Sequence, residues 1–375
     1  MKLTYISPCF DSSGYAEAAR NYILALDSVG VDVHVKPMTF EKQKPELGDI
    51  QTKLLSLSKG SDDSKIQITH MTPENYPRWT RPDRYNIAYT TWETSRLPPN
   101  WAILINRMNE VWVPCEHNVK VFRDSGVTVP IKCVPHTFTK EEVPTVELSL
   151  QNREKDDYAF YSIFQWTERK NPIGLLKAYL TEFKEEEKVC LILKTYFLNP
   201  LNPDELKNLK ETISSIKQRL YLKSFPKILL INSLLSKEQI VSLHNQSDCY
   251  VSLHRCEGFG IPIVEAMMAG KPVIATSYGG PADFGNDVDY PVMYHIGSQE
   301  TPCFGMPWPT YHGGMNWAEP NIMEAREAMR TCFTNQQQAK ELGADGKHWC
   351  EEKLSYQTIG TLMKNRLLEI EKEIL

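Results

Sequence analysis

Two successive runs of alternating strand-like and helix-like segments constrain this 375-residue chain more than any other feature of its sequence. In the first half, short apolar stretches at 3–7, 31–35, 66–70, 86–91, 111–113 and 131–134 alternate with helix-like stretches at 15–29, closed by Gly30, and near 101–109. In the second half, apolar stretches at 159–164, 189–194, 228–232, 249–253 and 273–275 are separated by helix-like stretches near 172–185, 203–220 and 237–245. Short apolar strands alternating with helices predict parallel sheets covered by helices. Two such sets predict an α/β chain of two Rossmann-like domains, 1–150 and 151–350, with the charged stretch 139–157 as the linker. From Glu319 onward the pattern is helical. The last segment, 351–375, carries Ile359, Met363, Leu367 and Ile370 at helical spacing, the stripe of a packed amphipathic helix. Residues 297–317, rich in Gly, Pro, aromatic residues and Met without periodicity, read as an irregular packed loop, with a ligand-facing loop as the alternative.

Composition narrows the class. Hydrophobic residues at 41% and charged residues at 24% are the balance of a soluble globular protein. A formal net charge of -5 gives no overall attraction to nucleic acid or anionic lipid, so no nucleic-acid partner is expected and any peripheral membrane contact would come from a local patch. The start, Met1 to Pro8, is too short and too polar afterward for a signal peptide. No window approaches the ~18 apolar residues of a membrane span, and a cytoplasmic location is expected. The nine cysteines are scattered, with no Cys-x-x-Cys pair and no nearby His cluster. Cys190 and Cys249, in apolar runs, read as small core residues.

Chemistry concentrates in residues 252–274. Glu257 precedes a Gly258-Phe259-Gly260 turn, and Glu265 follows about one helical turn inside a helix that starts near Ile261. The glycines allow dihedrals closed to other residues and close approach of a ligand to the main chain. Pro262 suits the first turn of a helix, and Gly270 suits a left-handed cap at its end. The helix amides and dipole favour an anion at the turn. The two carboxylates would repel phosphate but accept hydrogen bonds from hydroxyls, so the segment fits a sugar and a ribose on either side of a diphosphate. His254 and Arg255 stand just before the turn at a strand end, where Arg255 could hold phosphate or a carboxylate. Elsewhere, Asn171-Pro172 read as an N-cap and first helical residue, which sets Lys170 at a helix N-terminus beside the same ligand. Gly14 lies in the loop after the first strand, Asp11-Ser12-Ser13-Gly14-Tyr15, just before a helix.

Together these residues resemble the retaining GT-B glycosyltransferases of family 4, the glycosyl transferases group 1, which move a sugar from a nucleotide diphosphate. The resemblance is carried by Glu257 and Glu265, eight residues apart within His254-Arg255-Cys256-Glu257-Gly258-Phe259-Gly260, and by Gly270-Lys271-Pro272-Val273-Ile274-Ala275-Thr276. Val111-Trp112-Val113-Pro114, Val134-Pro135-His136, Arg169-Lys170-Asn171, Gly279-Gly280 and Trp317-Ala318-Glu319-Pro320 support it. It implies a GT-B architecture: two Rossmann-like domains facing a central cleft, the first on the acceptor side and the second binding the donor, with the C-terminal helix packing back toward the first. It further implies a retaining hexosyltransferase acting on a UDP- or GDP-sugar, with a glycan, lipid-linked, protein or small-molecule hydroxyl as acceptor. Neither metal nor other cofactor is implied, and the mechanism is front-face attack with the departing phosphate oxygen taking the acceptor's proton.

Carried over by residue, the resemblance assigns Glu257 to donor-sugar hydroxyls, Glu265 to the ribose and Lys170 to the diphosphate. Gly258, Phe259, Gly260 and Ile261 lie along the donor, as do His254 and Arg255, and Gly14 approaches the donor phosphates or the acceptor. Glu257, Lys170 and Arg169 form the catalytic set. This chain also departs from the family pattern. Gln165 stands where an arginine is common, and Arg169 either replaces it or points to solvent. The family histidine after the strand at 86–91 is absent, and Thr90-Thr91-Trp92-Glu93-Thr94 leaves Trp92 and Glu93 as candidates for sugar contact or for a structural role. His117 and His136 read as packing or capping residues. Three rivals stay open: a metal-dependent transferase using Asp287-Val288-Asp289, which reads better as a solvated turn; a nucleotide-sugar epimerase; and a nucleotide-sugar binding protein without turnover.

Overall fold

The computed structural model describes residues 1–374 except 41–44, 46, 140–143, 145, 147, 149, 151, 198–201, 203 and 305–309. The chain divides into two compact units, Met1–Lys140 with Glu351–Leu375 and Glu141–Cys350. The first unit runs β1 (Lys2–Ser7), α1 (Gly14–Ser28), β2 (Asp32–Pro37), α2 (Gly48–Leu57), β3 (Ile66–His70), α3 (Tyr76–Trp79), β4 (Tyr85–Tyr89), α4 (Trp101–Ile105), β5 (Glu110–Val113), α5 (Glu116–Asp124) and β6 (Ile131–Cys133). Its strands lie in the order β2-β1-β3-β4-β5-β6, every neighbouring pair parallel.

The second unit runs β7 (Tyr158–Gln165), α6 (Pro172–Glu182), β8 (Val189–Tyr196), α7 (Glu205–Leu220), β9 (Lys227–Ile231), α8 (Lys237–Gln246), β10 (Cys249–Ser252), α9 (Ile261–Met268), β11 (Val273–Thr276) and β12 (Tyr294–Ile296). These strands form a second parallel sheet in the order β12-β11-β10-β7-β8-β9. After β7 the chain builds outward through β8 and β9, then returns to place β10 on the other side of β7. Neighbouring strands whose connections leave in opposite directions open a crevice at their C-terminal ends, where open α/β sheets bind ligands. Here that switch lies between β7 and β10.

The stretch 297–317 is more regular than its composition suggests. Its ends contribute to β13 (Ser298–Pro302) and β14 (Asn316–Pro320), an antiparallel ribbon, while 305–309 lie outside the described residues. The polar strand Ser298-Gln299-Glu300-Thr301-Pro302 has no buried residue, so it carries no alternation to read. Helices α10 (Ile322–Thr334) and α11 (Gln336–Lys353) lead into α12 (Tyr356–Ile374).

Helix α12 belongs to the core of the first unit, as the resemblance implies. Ile359, Met363, Leu367 and Ile370 are buried in the same cluster as Tyr22, Ile23 and Leu26 of α1. A Cβ at Gly360 would lie 2.6 Å from the Ala25 carbonyl oxygen, so the two backbones meet there and only glycine fits. Beside this seam the fully buried Glu110 accepts from Arg366 Nη2 at 2.7 Å and from Trp112 Nε1 at 2.6 Å. Cys190 and Cys249 are fully buried, as expected of core thiols.

Candidate active site

Two loops at the switch of the second sheet build the site. The first leaves β7 at Gln165, whose Nε2 donates to the Phe197 carbonyl at 2.9 Å. A tight 3₁₀ turn follows at Glu168–Lys170, with Lys170 N donating to Thr167 O at 3.1 Å. Asn171 then takes a left-handed conformation (φ 52°), and its Oδ1 accepts from Gly174 N at 3.0 Å, capping α6. Pro172 opens the helix as expected. A Cβ at Gly174 would meet Asn171 Nδ2 at 2.3 Å, so this cap requires glycine three residues on.

The second loop follows β10. Its first contact ties it to the other: Arg255 N donates to Arg169 O at 2.7 Å. His254 is fully buried, with Nε2 donating to the Tyr278 carbonyl at 3.2 Å and Nδ1 accepting from Ser252 Oγ at 3.1 Å. Burial pushes its pKa down to about 4, so it is neutral at physiological pH and holds the turn from within. The Arg255 guanidinium is held by carboxylates: Nε donates to Glu319 Oε2 at 2.7 Å, and Nη1 donates to Glu168 O at 2.8 Å and Oε2 at 2.9 Å. It also lies 5.5 Å from the Trp317 ring. Arg255, read from the sequence as a phosphate or carboxylate partner, takes the carboxylates and lashes both loops to β14.

Glu257 meets the first loop at its functional end. Lys170 Nζ is ion-paired with Oε1, and Arg169 Nη1 lies 3.9 Å from Oε2. Burial alone would raise the Glu257 pKa. The charges of Lys170 and Arg169 and the hydrogen bond from Lys170 outweigh it and hold the carboxyl down to about 2, so it is ionised at neutral pH. Arg169 therefore faces Glu257 and not open solvent.

Glycines let a third backbone press against this turn. A Cβ at Gly279 would lie 1.9 Å from the Glu257 carbonyl oxygen, and one at Gly280 would lie 2.5 Å from Phe259 Cα. Gly280 N donates to Glu257 O at 3.2 Å. Gly258 and Gly260 are buried, and Gly260, at φ 92°, starts α9 at Ile261 with Pro262 in its first turn. The helix ends as the sequence implies, with Gly270 at φ 71° donating to Met267 O and Lys271 N donating to Ala266 O. Phe259 buries its ring 5.3 Å from that of Phe284, so the ring packs within the unit. Glu265 is half-buried on α9.

The remaining candidates belong to the first unit. Gly14 is exposed at the first turn of α1, which Ser13 Oγ caps by accepting from Ala16 N at 3.2 Å. Trp92 is 6% exposed, its Nε1 donating to Thr94 Oγ1 at 2.7 Å and its ring set edge-on 4.9 Å from Trp101. An indole so enclosed serves packing. The half-buried Glu93 lies close enough to help burial raise the Tyr15 phenol to about 12, and Tyr15 Oη pairs with Thr90 Oγ1 at 2.9 Å. His136 is buried against Tyr22 Oη at 2.9 Å, a packing role.

Several organising contacts had no signal in the sequence. Glu168 and Glu319 hold Arg255 across 87 and 64 positions of chain. Asn118 fixes the 91–92 turn, accepting from Trp92 N and donating to Trp92 O, both at 2.8 Å. Asp287 accepts from Trp349 Nε1 at 2.8 Å and Asp289 is exposed, the geometry of a structural turn. Among the described residues no group of three or more His, Cys, Asp or Glu could hold a metal ion, and no helix is long and apolar enough to cross a membrane.

The family model for glycosyl transferases group 1 matches residues 150–289, the stretch that holds both loops, α9 and the Gly279-Gly280 turn. That stretch is similar to the group 1 glycosyl transferases, and the chain has the GT-B fold. Solved structures similar to this chain include the sucrose-phosphate synthase of Thermosynechococcus elongatus (TM-score 0.67, 11% identity, 100% of each chain). Anabaena HepE in complex with UDP-glucose is another (TM-score 0.65, 15% identity, 98% of this chain and 100% of that one). A third is the E. coli trehalose-6-phosphate structure bound with UDP-2-fluoro glucose (TM-score 0.63, 11% identity, 98% and 99%). At these identities the likeness is one of fold. No sequence match among curated proteins accompanies it.

Proposed function

We propose that this glycosyltransferase moves a hexose from a nucleoside-diphosphate sugar to a hydroxyl acceptor with retention at the anomeric carbon, using the cations of the chain in place of a metal. The observation that carries the reading is the ion pair of Lys170 with Glu257, with Arg169 beside it, at the switch of the donor-side sheet. Without ligand the site neutralises itself. When the donor enters, its diphosphate takes over Lys170 and Arg169, and the released Glu257 oxygens accept from the sugar hydroxyls. Glu265, a turn into α9, accepts from the ribose, and the amides around Gly260 and Ile261 meet phosphate oxygens at the helix start.

As the bond from the anomeric carbon to the diphosphate breaks, negative charge grows on the leaving oxygen. Lys170, Arg169 and the α9 dipole are fixed in advance where that charge develops, which is the most effective form of electrostatic catalysis. The acceptor hydroxyl attacks from the same face, and its proton passes to the departing phosphate oxygen. No general base is required. The UDP and UDP-sugar ligands of the similar solved structures favour UDP as the carrier. Acceptor recognition is assigned to the first unit, with Gly14 and Glu93 as contacts and Trp92 shaping the loop that carries Glu93.

The test is a thermal-shift panel of UDP, GDP, ADP and their sugars, since a ligand that binds only the folded state raises its melting temperature with occupancy. Stabilisation by one diphosphate series, slow donor hydrolysis unaffected by EDTA, and a product anomer matching the donor are the expected results. No stabilisation by any nucleoside diphosphate, or an inverted product, would overturn the reading.

A further inference from the structure

Lys170 and Arg169 are both turned to Glu257, and Gln165, at the C-terminal end of β7, is neutral and bound to the Phe197 carbonyl. The neighbouring strand carries an unexplained charge. Lys194 lies in β8, in register with Ile163 of β7 and Ile231 of β9, and is 7% exposed. Its Nζ stands 5.2 Å from the centre of the Tyr196 ring, two residues farther along the same face of the strand. Tyr196 in turn pairs with Gln165. The lysine side chain therefore runs up β8 toward its C-terminal end and delivers the ammonium to the rung that Gln165 occupies.

Among the described residues this ammonium has no hydrogen-bond or ion-pair partner, and burial alone acts on it, lowering its pKa. A charge drawn partly out of water costs stability, and a methionine would fill the same space without that cost. The ring of Tyr196 offsets part of it. A charge kept at such a cost beside a switch crevice is one awaiting an anion.

We infer that Lys194 supplies the further positive charge for the donor's diphosphate, in place of an arginine at Gln165. The inference rests on the donor reading above. It makes the diphosphate subsite span two adjacent strands: Lys170 and Arg169 from the loop after β7, Lys194 from β8. It also explains how β7 can end on a neutral glutamine.

The experiment is calorimetric titration of the full chain and its Lys194→Met variant with UDP, GDP and ADP, each beside its parent nucleoside. For the diphosphate that the parent protein binds, the variant is expected to bind about tenfold or more weakly, the scale of one lost charge-assisted hydrogen bond. Nucleoside affinity should stay within about twofold, because a charge on the diphosphate leaves the base and ribose untouched. The melting temperature of the unliganded variant should equal or exceed that of the parent. Adding Gln165→Arg to Lys194→Met should restore diphosphate affinity. If the parent binds none of the three diphosphates, the donor reading falls and this inference with it. If the parent binds and Lys194→Met binds equally, or loses nucleoside and diphosphate affinity in equal measure, Lys194 alone is misassigned. A variant that melts lower or fails to fold would make Lys194 a structural residue and overturn the inference equally.

Discussion

In the proposed reaction Glu257 is the residue on which most of the chemistry turns, because it neutralises Lys170 and Arg169. Replacing it by glutamine removes the competitor for Lys170 and Arg169 while keeping the shape. Glu257→Gln should therefore bind UDP more tightly than the parent and transfer sugar about 10²-fold or more slowly, on the scale of losing a preorganised electrostatic contact. Titration of UDP and a radiolabelled transfer assay would read the two effects separately; a parallel loss of both would contradict the exchange of partners. The pH dependence of stability has a definite sign. His254 and His136 are held neutral by burial, with pKa values pushed from 6.5 down to about 4 and about 3. The unfolded chain thus binds protons that the folded chain refuses, so stability is full above about pH 6.5 and falls as pH drops toward 4. Glu257, depressed from 4.5 to about 2, adds a loss below about pH 4.5. Urea midpoints at pH 7.5, 6 and 5 should decline in that order, and His254→Gln should flatten the decline by about one proton.

At the scale of the element, α9 and the turns around it form one unit of packing. The sequence already placed the start of α9 at Ile261 and its stop at Gly270, because glycine and proline have local conformational reasons to stand there. What presses on the turn from outside was not legible. Gly279 and Gly280 were visible as a pair, but the contact of their backbone with Glu257 and Phe259 joins segments about twenty residues apart. Gly280→Ala would drive a methyl into the Phe259 backbone and should cost about 1–3 kcal/mol, the range for overpacking a rigid site. Its melting temperature and its UDP affinity should both fall, and an unchanged UDP affinity would detach this turn from the donor site. The weaker elements escaped the sequence for the same kind of reason. Helix α2 buries only Leu54, and β13 buries nothing, so neither shows an apolar period.

On the scale of the whole molecule, α12 makes the last residues of the chain part of the first unit. Its stripe of Ile359, Met363, Leu367 and Ile370 completes the core beside α1, and its Arg366 neutralises the buried Glu110. Arg366→Met should leave that carboxylate uncompensated and destabilise the first unit by about 3–5 kcal/mol, the usual result of removing one partner of a buried pair. Chemical denaturation followed by tryptophan fluorescence would measure it. Additional replacement of Glu110 by glutamine should recover part of the loss.

The amino-acid sequence by itself determined the two α/β sets, the amphipathic last helix and the glycine-bracketed turn that carries Glu257, because each rests on local periodicity or on backbone freedom within a few residues. Tertiary structure alone decided how the charges are spent. Arg255 and Lys170 are equally cationic in the sequence, yet one is bound by Glu168 and Glu319 and the other is ion-paired with Glu257. Trp92 and Lys194 make the same point: the aromatic candidate is enclosed by Trp101 and Thr94, and a lysine that the sequence shows only as the end of an apolar strand has no ion-pair partner among the described residues. Partners separated by tens of residues are chosen by strand order, and strand order is a property of the folded sheet.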